Sequence, residues 1–209
     1  MNMEHNDAIL AASRGELVLL IDSSAYEEIR RLANETGYHA LNFIVHRYPK
    51  IDFFFSEDVF RELNTRGLSP NALNMAQRVL RPEGVSIDPS LKVDLGLYNA
   101  TDGTIKSYKH NKISQADQNQ ILLCQNHLEL TLLTIDHRLL RSAAPVLKNR
   151  IMDLQNFFEL LVNTENPHLR KMWQELFDHY MQTSTYKRPT NVRALTDMLP
   201  NGREPGVTV

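Results

Sequence analysis

The 209-residue chain has a single cysteine, Cys124, so it can build neither an internal disulfide framework nor a cysteine-based zinc site. A reducing, cytoplasmic setting is the expectation that follows. Excess charge is also lacking, since 23 lysines and arginines against 25 aspartates and glutamates leave a formal net charge of -2. A polyanionic partner would have to be held by a local basic patch. The apolar run near the start, Leu17 to Ile21, covers five residues, against the about 18 or more of a membrane span. It follows Glu16 without a basic leader, so neither a membrane segment nor a signal peptide is expected. There is no Gly-rich phosphate loop, no Gly-x-Ser-x-Gly elbow and no His-Glu-x-x-His, which sets aside the chemistries those motifs serve. The histidines show no ligand spacing. What remains is ordinary globular composition, with 42% hydrophobic and 23% charged residues, which excludes collagen-like, mucin-like and wholly disordered chains.

The apolar segments alternate in type. Leu17 to Ile21 reads as a strand buried on both faces, ended by Asp22-Ser23-Ser24. A helix should follow, with Ser23 or Ser24 as its N-cap. Leu41, Ile44, Val45 and Tyr48 have helical spacing, and Ile51 to Phe55 reads as a second strand. Val59, Phe60 and Leu63 mark one helix, and Ala72, Met75, Ala76 and Val79 another. Val85 to Ile87 could be a short strand, and residues around Thr101-Asp102-Gly103 a hairpin. Ser114 to Leu128 reads as a helix with Ile121, Cys124 and Leu128 inward. Leu130 to Ile135 is a strand, Asp136 to Ser142 a short helix, Arg150 to Met152 the last strand, and Leu154 to Leu161 a helix. The clearest helix starts at Asn166 as N-cap and Pro167 at N1, with Leu169, Met172, Trp173, Leu176, Phe177 and Tyr180 along one face. That stripe must be covered by the chain's own sheet layer or by a second protomer in a homodimer. Residues 183–209, with three prolines and two glycines, read as a flexible tail. Strands alternating with helices predict an α/β domain on a mostly parallel sheet, whose ligands sit at the carboxyl ends of the strands, where strand order reverses.

Acids stand at those ends. Asp22 closes the first strand, Glu57, Asp58 and Glu62 follow the second, Asp117 opens a helix, and Asp136 closes the Leu130–Ile135 strand. Taken one at a time, each has a purely structural alternative. Asp22 and Asp136 could be N-caps, Ser114 to Asp117 a capping box, and Glu62 a partner of Arg66 at i+4. Together, four carboxylates at one end of one sheet would repel each other, and a divalent cation would neutralise them. Oxygen-only ligands suit Mg2+ or Mn2+, whose chemistry serves phosphodiester hydrolysis.

Ile21-Asp22-Ser23-Ser24, Val59-Phe60-Arg61-Glu62-Leu63, Ser114-Gln115-Ala116-Asp117-Gln118-Asn119-Gln120-Ile121 and Leu132-Leu133-Thr134-Ile135-Asp136 resemble, in order and setting, the four acidic motifs of the PIN-domain nucleases. Asp117 and Asp136, 19 positions apart as helix start, strand and Thr-x-Asp, are the sharpest part. Ile151 to Phe157 resembles that family's closing strand and helix. The resemblance covers about residues 16–165. It implies a PIN-like three-layer α/β/α domain (1–165) followed by a C-terminal helix (166–182). It further implies a Mg2+- or Mn2+-dependent endoribonuclease, with deoxyribonuclease activity less expected. Asp22, Glu62, Asp117 and Asp136 would be the catalytic metal ligands, and Thr134 would set the geometry of the site. Glu57 and Asp58 compete with Glu62 for the second position.

Basic residues flank the acids: Lys106, Lys109, His110 and Lys112 before Asp117, and His137, Arg138, Arg141, Lys148 and Arg150 after Asp136. Lys106, Lys109, Lys112 and Arg138 are the expected substrate grips on the phosphates of an RNA partner, single-stranded or structured, and Tyr98 and Tyr108 could stack on bases. Three rivals stand beside this reading. One is a catalytically inactive PIN-like module that binds RNA or a protein. Another is the toxin of a toxin–antitoxin pair, with an antitoxin-like partner, although the chain is longer than the small toxins by a helix and a tail. The third is another phosphate enzyme on a doubly wound sheet, which would usually want Asp-x-Asp after the first strand, where Ser24 stands.

Overall fold

The computed structural model describes residues 2–11, 17–38, 51–67, 79–82, 113–163 and 166–187. In chain order these form α1 (Asn2–Ala11), β1 (Leu17–Ile21), α2 (Ser23–Thr36), β2 (Ile51–Ser56), α3 (Glu57–Thr65), β3 (Val79–Leu80), α4 (Gln115–Asn126), β4 (Leu130–Leu133), α5 (His137–Leu147), β5 (Ile151–Met152), α6 (Leu154–Val162) and α7 (Pro167–Thr183). The described strands make one sheet of order β3-β2-β1-β4-β5, parallel throughout. The expected helix at Leu41 to Tyr48, the strand at Val85 to Ile87, the hairpin near Asp102 and the three lysines lie outside the described residues, as do residues 188–209.

The five apolar residues of β1 explain its central place. Val18 and Leu20 face one apolar core, with Phe54, Leu132, Ile121 and Leu139. Leu19 and Ile21 face the other, with Phe53, Ile29, Phe157 and Trp173. A strand apolar at every position needs helices on both faces. Here α4 and α5 cover one face, and α2, α3, α6 and α7 the other, giving three layers. Local signals set the helix ends. Asp22 caps α2, and Gly37, at φ +73°, ends it in the left-handed conformation that glycine adopts freely. Ser114 and Asp117 form a reciprocal capping box on α4. Asn166 caps α7 with Pro167 behind it.

Several expectations are corrected. Val79, read as the end of a helical stripe, lies in β3, where it pairs with Phe55 of β2; an apolar residue at a sheet edge satisfies either period. Leu128, read as inward, is 73% exposed, because α4 ends at Asn126 and the chain turns before β4. Helix α1 was not anticipated, since its sequence carries little apolar periodicity. A fully buried Asn6 fastens it, donating to the carbonyl of Arg81 and accepting from its N–H, both at 2.9 Å. Helix α5 runs to Leu147, past the expected Ser142. Arg150, counted among the basic residues beside the site, instead binds the carbonyls of Cys124, His127 and Leu130, at the start of β4.

The stripe on α7 is covered by this chain's own helices. Trp173 and Leu176 are wholly buried, and Phe158 of α6 packs its ring against Phe177 and Tyr180 at 6.2 and 5.5 Å. Burying each large side chain contributes roughly 1.5–3 kcal/mol, so the stripe needs no second protomer to hide it. Trp173→Ala is expected to lower the unfolding free energy by about 3–5 kcal/mol, measured by urea denaturation. Met181→Ala, at a 53% exposed position of the same helix, should shift it by less than about 0.5 kcal/mol. Equal effects would remove α7 from the core.

Candidate functional site

Strand order reverses between β1 and β4, and the crevice beyond their carboxyl ends is where such sheets bind ligands. The register puts Ile21 beside Leu133 and Leu133 beside Met152. One residue further on, Asp22, Thr134 and Asp153 follow side by side. Their backbones remain stitched, Asp22 N–H to Leu133 O at 2.9 Å and Thr134 N–H to Met152 O at 3.1 Å. All three side chains are buried.

Asp22, 4% exposed, is saturated with donors. Its Oδ2 accepts from the Ser24 hydroxyl at 2.5 Å, the Ser24 N–H at 3.3 Å and the Thr134 hydroxyl at 2.9 Å. Its Oδ1 accepts from Gln120 Nε2 at 3.0 Å. Thr134 Oγ1 in turn accepts from the Asp136 N–H at 3.1 Å, so the threonine hydroxyl links the two acids. Asp136 caps α5, its Oδ1 accepting from the N–H groups of Arg138 and Leu139 at 2.6 and 3.1 Å. Asp117 accepts from the Ser114 N–H at 2.8 Å. These are the helix-start contacts that a purely structural reading of each acid expects.

Asp117 carries more than a cap. Burial pushes its carboxyl above the usual carboxylate range, and the charges of Asp22 and Asp136 push the same way, against the two lowering hydrogen bonds from Ser114. The charges of Asp22 and Asp136 thus reach Asp117, as the weaker contributions to its shift. The acids of α3 are placed differently. Glu62 pairs with Arg66, which also holds Glu27 at 2.5 Å, and Glu57 pairs with Arg61 at 3.1 Å. Asp58, on the same helix face as Glu62, accepts from Asn119 Nδ2 of α4 at 2.6 Å. Of the three, Asp58 is the one bonded to the helix that carries Asp117. The pKa of Arg66 is raised first by the hydrogen bond to Glu27, then by Glu62, and more weakly by Asp22. Arg138 is exposed at the start of α5. Lys106, Lys109 and Lys112 lie outside the described residues.

The donor set suits a hard cation, being oxygen only. Asp117 Oδ1 and Asp136 Oδ2 have no hydrogen-bond partner among the described residues. Also among the described residues, no three His, Cys, Asp or Glu side chains stand together as a ready metal cage. Beside Asp136 its neighbours Ile135 and His137 line an open cleft of about 350 Å3, walled across by Arg31 and Tyr186.

Sequence reasoning missed two participants. Ser24 was weighed as a cap and as a member of the first acidic motif but given no role at the site, yet its hydroxyl reaches Asp22 and accepts from the Ile135 N–H at 3.3 Å. Gln120 passed unnoticed, although a polar residue three positions after Asp117, leading the apolar run Ile121-Leu122-Leu123, was a readable signal. Cys124 is a buried free thiol pushed up to about 12 by burial, in keeping with a core role. The chain has no significant match to any protein-family model, curated protein or solved structure.

The shift on Asp117 sets a pH test. Its folded pKa lies above the unfolded value of 3.8, so the native state holds this proton more tightly. The associated stability is full below the unfolded value and is lost as pH rises through the folded one. Asp117→Asn removes that loss while keeping a carbonyl acceptor for Ser114. Thermal melts in a metal-free buffer should show the variant melting higher than wild type at pH 7, with the gap closing as pH falls to about 4. A gap independent of pH would mean that Asp117 carries no such penalty.

Proposed function

We propose that the protein is a metal-dependent nuclease on a PIN-like domain, hydrolysing RNA phosphodiester bonds. The observation that carries this reading is the placement of Asp22, Asp117 and Asp136 at the reversal of strand order, where the charges of Asp22 and Asp136 are felt at Asp117. Self-repelling, partly buried carboxylates are destabilising unless something neutralises them, and the crevice is where a ligand would lie. Asp22, Asp117 and Asp136 would hold the cation, together with the α3 face that carries Asp58 and Glu62. A bound Mg2+ or Mn2+ supplies positive charge to the phosphate and acidifies water. The chain's own groups do the rest. Thr134 and Ser24 hold Asp22 in place through their hydroxyls, and the exposed cations, Arg138 among them, draw in the phosphate backbone.

A second reading has an observation of its own. Each of these three carboxylates already makes helix-start hydrogen bonds, as an inactive PIN-like module binding RNA or a protein would also require. One set of assays separates the two. Purified protein with single-stranded RNA should cleave in Mn2+ or Mg2+ and not in EDTA. Asp22→Asn and Asp117→Asn should each reduce cleavage by more than about a hundredfold, beyond what outer-shell partners typically contribute, with unchanged circular dichroism. Mn2+ at a hundredfold excess over its Kd should add about 2.7 kcal/mol to stability. No cleavage and no metal-dependent rise in Tm would favour the binding module.

A further inference from the structure

Gln120 is wholly buried on α4, one turn from Asp117 and on the same face. Its Nε2 donates to Asp22 Oδ1 at 3.0 Å. A carboxylate only accepts, so this orientation of the amide is fixed. The other end of the amide, Oε1, is buried with no hydrogen-bond partner among the described residues. An unmet buried acceptor is a net penalty, and the residues that follow, Ile121, Leu122 and Leu123, are apolar and buried. For the fold alone, a side chain that donates to Asp22 without carrying an orphaned acceptor would serve better at this position. Departures from local consistency of this kind concentrate at functional sites.

We propose that Gln120 is a positioning residue for a bound divalent cation. Its Nε2 fixes Asp22, and its Oε1 accepts a hydrogen bond from the hydration water that accompanies the cation. This rests on the metal-site reading above. Mg2+ in particular sheds water reluctantly and keeps several molecules, so an acceptor set behind a ligand carboxylate has a natural partner. The acceptor is met only when the site is loaded, which couples Gln120 to metal affinity more than to folding.

The test uses the full chain, Mn2+ as the probe, titration calorimetry for Kd, and melts in EDTA for the metal-free protein. Gln120→Met, close in shape but without polar atoms, loses the donor to Asp22 along with the orphaned acceptor; it should melt somewhat below wild type in EDTA and bind Mn2+ about 10–100-fold more weakly. Gln120→Glu keeps an acceptor and adds charge beside Asp22. It should melt lower in EDTA and bind Mn2+ more tightly than wild type. If wild type binds Mn2+ and Gln120→Met binds it equally well, the role of Gln120 is overturned while the nuclease reading stands. If wild type does not bind Mn2+, both are overturned. Should Gln120→Met fail to fold, Gln120→Glu decides alone: tighter binding with a lower metal-free Tm upholds the role, and any other result overturns it.

Discussion

A carboxylate buried among apolar strands is tolerated only where donors saturate it, and the carboxyl end of this sheet is organised around meeting that condition for Asp22. The donors come from three separate elements: Ser24 at the start of α2, Thr134 just past β4, and Gln120 on α4. Removing any one leaves a buried charge under-satisfied, so their positions are mutually dependent. The parallel pairing of β1 with β4 sets Thr134 beside Asp22, and the capping box on α4 sets where Gln120 begins its reach. The chemistry of the crevice and the geometry of the central strands are thus one constraint.

The same carboxylates serve as caps and as candidate ligands, and the two roles are compatible because they use the same direction of space. A helix start offers N–H groups and a positive dipole end to an anion, which contributes about 0.3–1 kcal/mol near the surface. Helices α2, α5 and α6 begin immediately beyond β1, β4 and β5, so their positive ends lie on the acid side of the sheet. That field makes a dense group of carboxylates tolerable without a cation. It does not remove the whole tension, as Asp117 shows: two hydrogen bonds from Ser114 hold its pKa down, yet burial and the neighbouring charges win and raise it. A helix cap with no further role would be expected to lie on the low side of the carboxylate range.

What was legible in the sequence was what is local. The apolar run of β1, the Asn166-Pro167 start of α7 and the Ser114-Asp117 capping box are written in consecutive residues, and each lies where the pattern predicts. The row of acids at strand ends followed from placing those elements in an alternating order. What was not legible depended on distant parts of the chain. Val79 is a strand residue because β2 lies beside it, and α1 holds its place through Asn6 and the backbone of Arg81, 75 positions away. That Asp58, and not Glu57 or Glu62, is bonded to α4 could not be read from spacing, because its partner is Asn119 of another helix. The polar position of Gln120 could be read, but its bond to Asp22 on another element could not.

The C-terminal helix bears on the site as well as on the core. Its apolar stripe joins the cluster that includes Leu19 and Ile21 of β1, so it is continuous with the strand that ends at Asp22. Its last turn is clasped to α2, with Arg31 donating to Thr183 at 3.0 Å and His179 paired with Glu35 at 2.8 Å. The chain then turns back over the sheet. Tyr186 donates its hydroxyl to Asp153 Oδ2 at 3.0 Å and sets its ring edge-on to His137 at 5.1 Å. Asp153 caps α6 at the end of β5, and His137 is the residue after Asp136. The segment read as the beginning of a tail therefore forms one wall of the cleft beside the candidate ligands. This helix shares the core, holds α2 and borders the cleft next to Ile135 and His137. Its packing helps to fix the positions of the strand ends on which the acids stand.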